Sequence, residues 1–128
     1  MDIETTCYRL GLVVDRLESI RDNEFDYNVW VMEPVNGCGT VGCALGHACF
    51  IPELQELGLY LNHNMPTVRR SGNIKYSAAK EIFGISLNAA YELFSPIHSS
   101  VGANATRKQV ANHIRNYIAK LQNTSKGK

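Results

Sequence analysis

Three cysteines and a histidine crowd into the stretch Cys38-Gly39-Thr40-Val41-Gly42-Cys43-Ala44-Leu45-Gly46-His47-Ala48-Cys49-Phe50. Cys43 and His47 are four residues apart, so on a helix their side chains share one face. Cys38, in the preceding loop, can swing over the helix start. Cys38, Cys43 and His47 are therefore ligands of the kind zinc accepts, with His63, Cys7 or water as a fourth. The spacing is not that of a finger or ribbon, and no second Cys-x2-Cys pair exists. Cys38 also suits a thiolate nucleophile activated by a helix start and an imidazole. No Asp, Asn or Glu within the stretch orients His47, however, so no catalytic constellation is complete. Inert, buried thiols are the simpler reading.

The same stretch offers a third chemistry. With Thr40 as N-cap, a helix from Val41 to about Phe50 leaves the amides of Gly39, Thr40 and Val41 facing outward, where a phosphate group binds well. Arg69 or Arg70, and His47, are candidates to complete such an anion cradle, with Trp30 or Tyr76 stacking on a base. The Lys-Ser/Thr ending of a P-loop is absent.

These residues need elements to hold them. Gly42, Gly46 and Cys49 form one lean face of the expected helix, with Ala44 and Ala48 beside it. Two interior glycines destabilise a helix by about 1 kcal/mol each against alanine, which close packing against a neighbour offsets. Ile3, Cys7, Leu10, Val14 and Leu17 space a first amphipathic helix over residues 3 to 21, widened by Val13 and Ile20, with Asp15, Arg16, Glu18 and Arg21 outward. Alternation through Phe25, Tyr27, Val29 and Val31 suits a short strand, and Trp30 lids the lean helix. After a helical turn from Glu53 to Leu57, Leu59-Tyr60-Leu61 and Ile74-Lys75-Tyr76 can pair across a long loop, residues 62 to 73. Ser77 to Phe83 and Ser86 to Phe94 read as two serine-capped helices joined at Gly84-Ile85. Their layout is that of a helix-turn-helix, but Asn88, Ala89, Tyr91 and Glu92 are a poor set of base readers, so a core-forming pair is expected. The final helix opens on the capping box Thr106-x-x-Gln109 and buries Val110, Ile114, Tyr117, Ile118 and Leu121.

Several of these residues also carry a resemblance. Trp30, followed by Cys38-Gly39-Thr40-x-x-Cys43-x-x-Gly46-His47-Ala48, resembles a signature of small phage and bacterial proteins of unknown function. It continues through Ala78-Ala79-x-x-Ile82-Phe83-Gly84-Ile85-Ser86, Ala89-Ala90-x-x-Leu93-Phe94 and Thr106-x-x-Gln109-Val110, so that residues 25 to 121 are covered. Tryptophan often takes the place of His47 in that signature. The resemblance therefore implies no obligatory metal ligand there, and marks Cys38 and Cys43 as the more characteristic pair. It implies an accessory protein that occupies a host protein or a signalling nucleotide, in the host cytoplasm if phage-encoded, and it carries no activity to transfer.

Length and composition fit this scale. The chain has 128 residues, 45% hydrophobic and 20% charged, enough for one core. No apolar run has the length of a membrane span, and the acidic start is unlike a signal peptide. Four unevenly spaced cysteines suggest reduced thiols in a cytoplasm. Charge is split: residues 1 to 66 carry ten acids against three arginines, net −7, and residues 67 to 128 carry ten bases against two glutamates, net +8. The halves either neutralise each other within the chain, join copies into a homo-oligomer, or present a basic surface to an anion. Aromatic interleaving is too sparse for extended nucleic-acid binding.

The expected fold is mainly α: a compact single-domain helical bundle over residues 1 to 122 around the short Gly/Ala/Cys-rich helix, with room for one short β-hairpin and a frayed tail from 123 to 128. The expected function is that of a non-enzymatic binding module for a host protein or a small phosphate-bearing, nucleotide-like ligand, with no cofactor. The alternatives are a zinc-binding protein and a cysteine-dependent enzyme.

Overall fold

The computed structural model describes residues 1–32 and 41–126. It is mainly helical, with six α-helices and two short antiparallel strand pairs among the described residues. Helix α1 spans Ile3–Ser19 and starts where Asp2 Oδ1 accepts from the Thr5 amide at 2.8 Å. Its buried stripe is Thr6, Cys7, Leu10, Val13, Val14 and Leu17, while Ile3 stays on the surface. Helix α6, Arg107–Lys126, lies antiparallel to α1. Cys7 Sγ reaches the Ile118 carbonyl at one end, and Arg107 Nη1 reaches the Leu17 carbonyl at the other. The expected capping box forms in full: the Thr106 amide donates to Gln109 Oε1 at 2.8 Å, and the Gln109 amide to Thr106 Oγ1 at 3.2 Å. Helix α6 buries Val110, Ala111 and Ile114, leaves Tyr117 and Ile118 half-buried, and continues through the expected tail to Lys126.

The central stretch differs from expectation. Residues 41 and 42 are not helical. Val41–Gly42 is a strand, β2, antiparallel to β1, Val31–Met32, with Val31 opposite Gly42. Helix α2 is only Ala44–Ala48, and its N-cap is Cys43, whose Sγ accepts from the Gly46 amide at 3.4 Å. The backbone pairing accounts for the change. The Cys43 amide donates to the Val29 carbonyl at 2.8 Å and the Asp26 amide to the Gly42 carbonyl at 3.0 Å, so the chain around Gly42 is bonded to a neighbouring segment. The lean helix does sit in the core: Ala44, Leu45 and Ala48 are fully buried, and α1 packs on it. Pro52 opens a second short helix, α3, Pro52–Glu56, at a position where proline is favoured.

The hairpin also differs. Strand β3, Leu59–Asn62, pairs with β4, Met65–Val68, through a two-residue turn at His63 and Asn64, so residues 62 to 73 are not one long loop. Ile74 makes a single bridge to Thr67, and helix α4 starts at Lys75, before Ser77 can cap it, and runs to Phe83. Gly84 turns the chain in the left-handed region at φ 65°, and Ser86 Oγ caps α5, Leu87–Phe94, by accepting from the Ala89 amide. Phe83 and Phe94 stack at 5.5 Å between the two helices, which form core as expected. No helix among the described residues is long and apolar enough to cross a membrane.

Candidate functional site

The segment from Asp26 to Trp30 is held by the same bonds that reshape the central stretch. Asp26 Oδ1 accepts from the Asn28 amide at 2.9 Å, a local turn that aims Tyr27 inward and leaves Trp30 half-buried. The Tyr27 hydroxyl donates to the Leu93 carbonyl at 3.0 Å, and burial pushes its pKa up to about 12. Trp30 faces Tyr76 from the first turn of α4, with centroids 5.3 Å apart and planes at 56°. Tyr76 in turn meets Tyr91 at 4.9 Å, and Tyr91 meets His98 at 4.8 Å. Four rings from four parts of the chain thus form a continuous row.

Beside Trp30 and Tyr76 the surface opens into a slot of about 220 Å³. Its walls include Tyr27, Trp30, Tyr76 and Phe94, Pro96 closes one side, and among the described residues no charged side chain lines it. Cys43 forms part of the floor. Its thiol is 2% exposed, and burial pushes its pKa up to about 11, so it is protonated at neutral pH and a poor nucleophile there. Buried Ser95 shares a hydrogen bond with His98 Nδ1 at 2.9 Å, which fixes the rim. Ile97, at the mouth, is 86% exposed.

The structure brings together three of the residues expected from sequence, Trp30, Tyr76 and Cys43. The other described ones do not line the slot. His47 is 1% exposed, with Nε2 2.7 Å from the Glu24 carbonyl and Nδ1 3.2 Å from Arg16 Nε. Arginine can only donate, so Nδ1 accepts and Nε2 carries the proton. Both ring nitrogens are thereby occupied within the chain, and Arg16, expected to face water, turns inward to reach one of them. Arg69 lies over the Tyr60 ring at 3.8 Å on the β3–β4 hairpin, and neither Arg69 nor Arg70 lines the slot. Cys38, Gly39 and Thr40 lie outside the described residues. Val41 is in a strand, so its amide is not at a helix start, and the first turn of α2 is already capped by Cys43. The helix start expected at Val41 lies instead at Cys43, so Val41 does not offer a helix-start amide to an anion. Among the described residues no group of three or more His, Cys, Asp or Glu side chains is placed to hold a metal ion.

Sequence reasoning missed Tyr27, Tyr91, Phe94 and His98 as parts of one site. A larger depression of about 460 Å³ between residues 22–28 and 103–108 is less telling, because its charged residues include Asp22 and Arg107, already paired at 2.7 Å. Comparison with protein-family models, curated proteins and solved structures finds no match to the chain.

Proposed function

We propose that the chain is a non-enzymatic binding module, and that its slot beside Trp30 and Tyr76 takes one flat, uncharged aromatic group presented by a partner protein. The observation that carries this reading is the lining: aromatic walls, an exposed isoleucine at the mouth and no charge among the described residues. Apolar cavities of about 150 Å³ accept benzene, whereas drug-sized ligands need roughly 300 Å³ or more. At about 220 Å³ the slot matches a single side-chain ring better than a whole nucleotide. Trp30 and Tyr76 supply faces and edges for offset or tilted stacking, the geometry aromatic pairs prefer. The resemblance of the Trp30 and Cys38–Ala48 signature to small phage and bacterial proteins supports a host protein as the partner and the host cytoplasm as the place of action.

Trp30 is the only tryptophan, so its fluorescence reports the slot directly. Titration with capped phenylalanine, tyrosine and tryptophan amides should shift that emission, and Tyr76→Ala should weaken the response about ten-fold, the equivalent of a lost aromatic contact. A wild type indifferent to every aromatic probe sinks the reading. Nucleotides that bind more tightly than their nucleosides, and lose that advantage in an Arg69→Ala, Arg70→Ala double variant, would put a phosphate-bearing ligand in place of the protein partner.

A further inference from the structure

The seam between α1 and α6 is open on its outer side. There, Ile3, Cys7, Tyr8 and Gly11 of α1 face Ile118 and Gln122 of α6 across a groove of about 570 Å³, richer in apolar than polar surface. Ile3 is 38% and Tyr8 57% exposed beside it. Gly11 is mid-helix, where glycine is unfavourable, yet a Cβ built there meets no described atom within 4 Å. Nothing described within the chain explains a bare position at the centre of this groove.

The charges along this pair of helices are sorted by helix. On α1, Arg9 and Arg16 turn away, to the Ile82 carbonyl and to His47, and the outward charges are Glu4, Asp15 and Glu18. Helix α6 contains no acidic residue, and farther along the same two helices Lys108 and Arg115 line a second depression with Glu18. Because α1 and α6 are antiparallel, a two-fold axis running along them lays α1 of one copy on α6 of another. Acidic row then meets basic row, twice, by symmetry. The other two-fold arrangement, with its axis across the helices, would set acid against acid.

We infer that this face joins two copies of the chain, with the α1 groove of each copy seated on α6 of the other at Gly11. The contact goes beyond the aromatic slot and does not involve it. At this register Asp15 of one copy comes level with Lys108 of the other, and neither residue takes part in an ion pair among the described residues. The test is sedimentation equilibrium of wild type, Asp15→Lys and Lys108→Glu across a concentration series. Wild type should dimerise, more weakly as sodium chloride rises. Each single variant meets like charge at two symmetric positions and should dimerise roughly ten-fold or more weakly. Mixed in equal amounts, the two should regain a dimer, since in the mixed pair both positions bring opposite charges together, one in the wild-type sense and one reversed. A wild type monomeric throughout, a dimer indifferent to both substitutions, or a mixture no tighter than its components overturns the proposal.

Discussion

At the scale of residues, His47 is a polar side chain buried for structure. Its imidazole ties α1, through Arg16, to the turn at Glu24, and Arg16 also lies 5.7 Å from the centroid of the Phe50 ring. Burial, and then the nearby Arg16 charge, lower its pKa from 6.5. The folded state therefore favours the neutral ring. Above the unfolded value the contribution is complete. As pH falls below about 6.5 the unfolded chain takes up a proton that the folded chain resists, and stability declines until pH passes the folded value. Urea unfolding at pH 7.5 and 5.5 should show lower stability at the acid end, and His47→Gln, which can still donate and accept, should remove that part of the difference. His47→Ala leaves the Arg16 donor and Glu24 carbonyl unpaired in the interior and should cost about 2–4 kcal/mol in the same measurement.

At the scale of elements, the turns decide more than the strands. His63 and Asn64 both have positive φ, 52° and 63°, the geometry of the two-residue turn that suits the twist of a hairpin. Neither is glycine, so both carry steric cost. Asn64→Gly should stabilise the protein by about 0.5–1 kcal/mol, seen as a rise in unfolding midpoint, while leaving the β3–β4 amide shifts in place. Gly84 is the opposite case. At φ 65°, an added Cβ would lie 2.7 Å from Met1 Sδ and 3.1 Å from Thr6 Oγ1. Gly84→Ala should lower stability by at least about 1 kcal/mol, from left-handed strain together with displacement of Met1, and thermal unfolding checks it.

At the scale of the whole molecule, the charge split is partly resolved within the chain. Arg107, near the start of the basic helix, meets Asp22 at 2.7 Å and the Leu17 carbonyl at 2.9 Å, and Arg115 pairs with Glu18. The two contacts of Arg107 differ in worth. Asp22 is 84% exposed, so water and salt screen that pair, whereas the carbonyl is one of the last of α1 and otherwise lacks a helical partner. Arg107→Ala should therefore cost about 1–2 kcal/mol in chemical denaturation, nearly independent of salt, while Asp22→Asn should change little.

Much of this architecture is written locally. The stripe of α1, the capping box of α6, the Ser86 cap and the Gly84 turn each depend on residues within a few positions of one another, and each forms where the sequence places it. The mainly helical fold follows from those signals. Three features depended on contacts between distant residues. Val41 and Gly42 look helical beside Ala44 and Leu45, but pairing with Val31 and Met32 draws them into a strand and moves the helix start to Cys43. The hairpin could have closed on residues 65 to 68 or 74 to 76, because His63-Asn64 is a weak turn signal and both partners offer short apolar runs. Tertiary packing chose the first, with Val68 buried against the core. The slot, finally, gathers Tyr27, Trp30, Tyr76, Phe94 and Pro96 from a turn, two helices and the chain after α5. No periodicity links such positions. Side chains separated by tens of residues meet only once the helices have packed, so a binding surface of this kind is decided by tertiary structure alone.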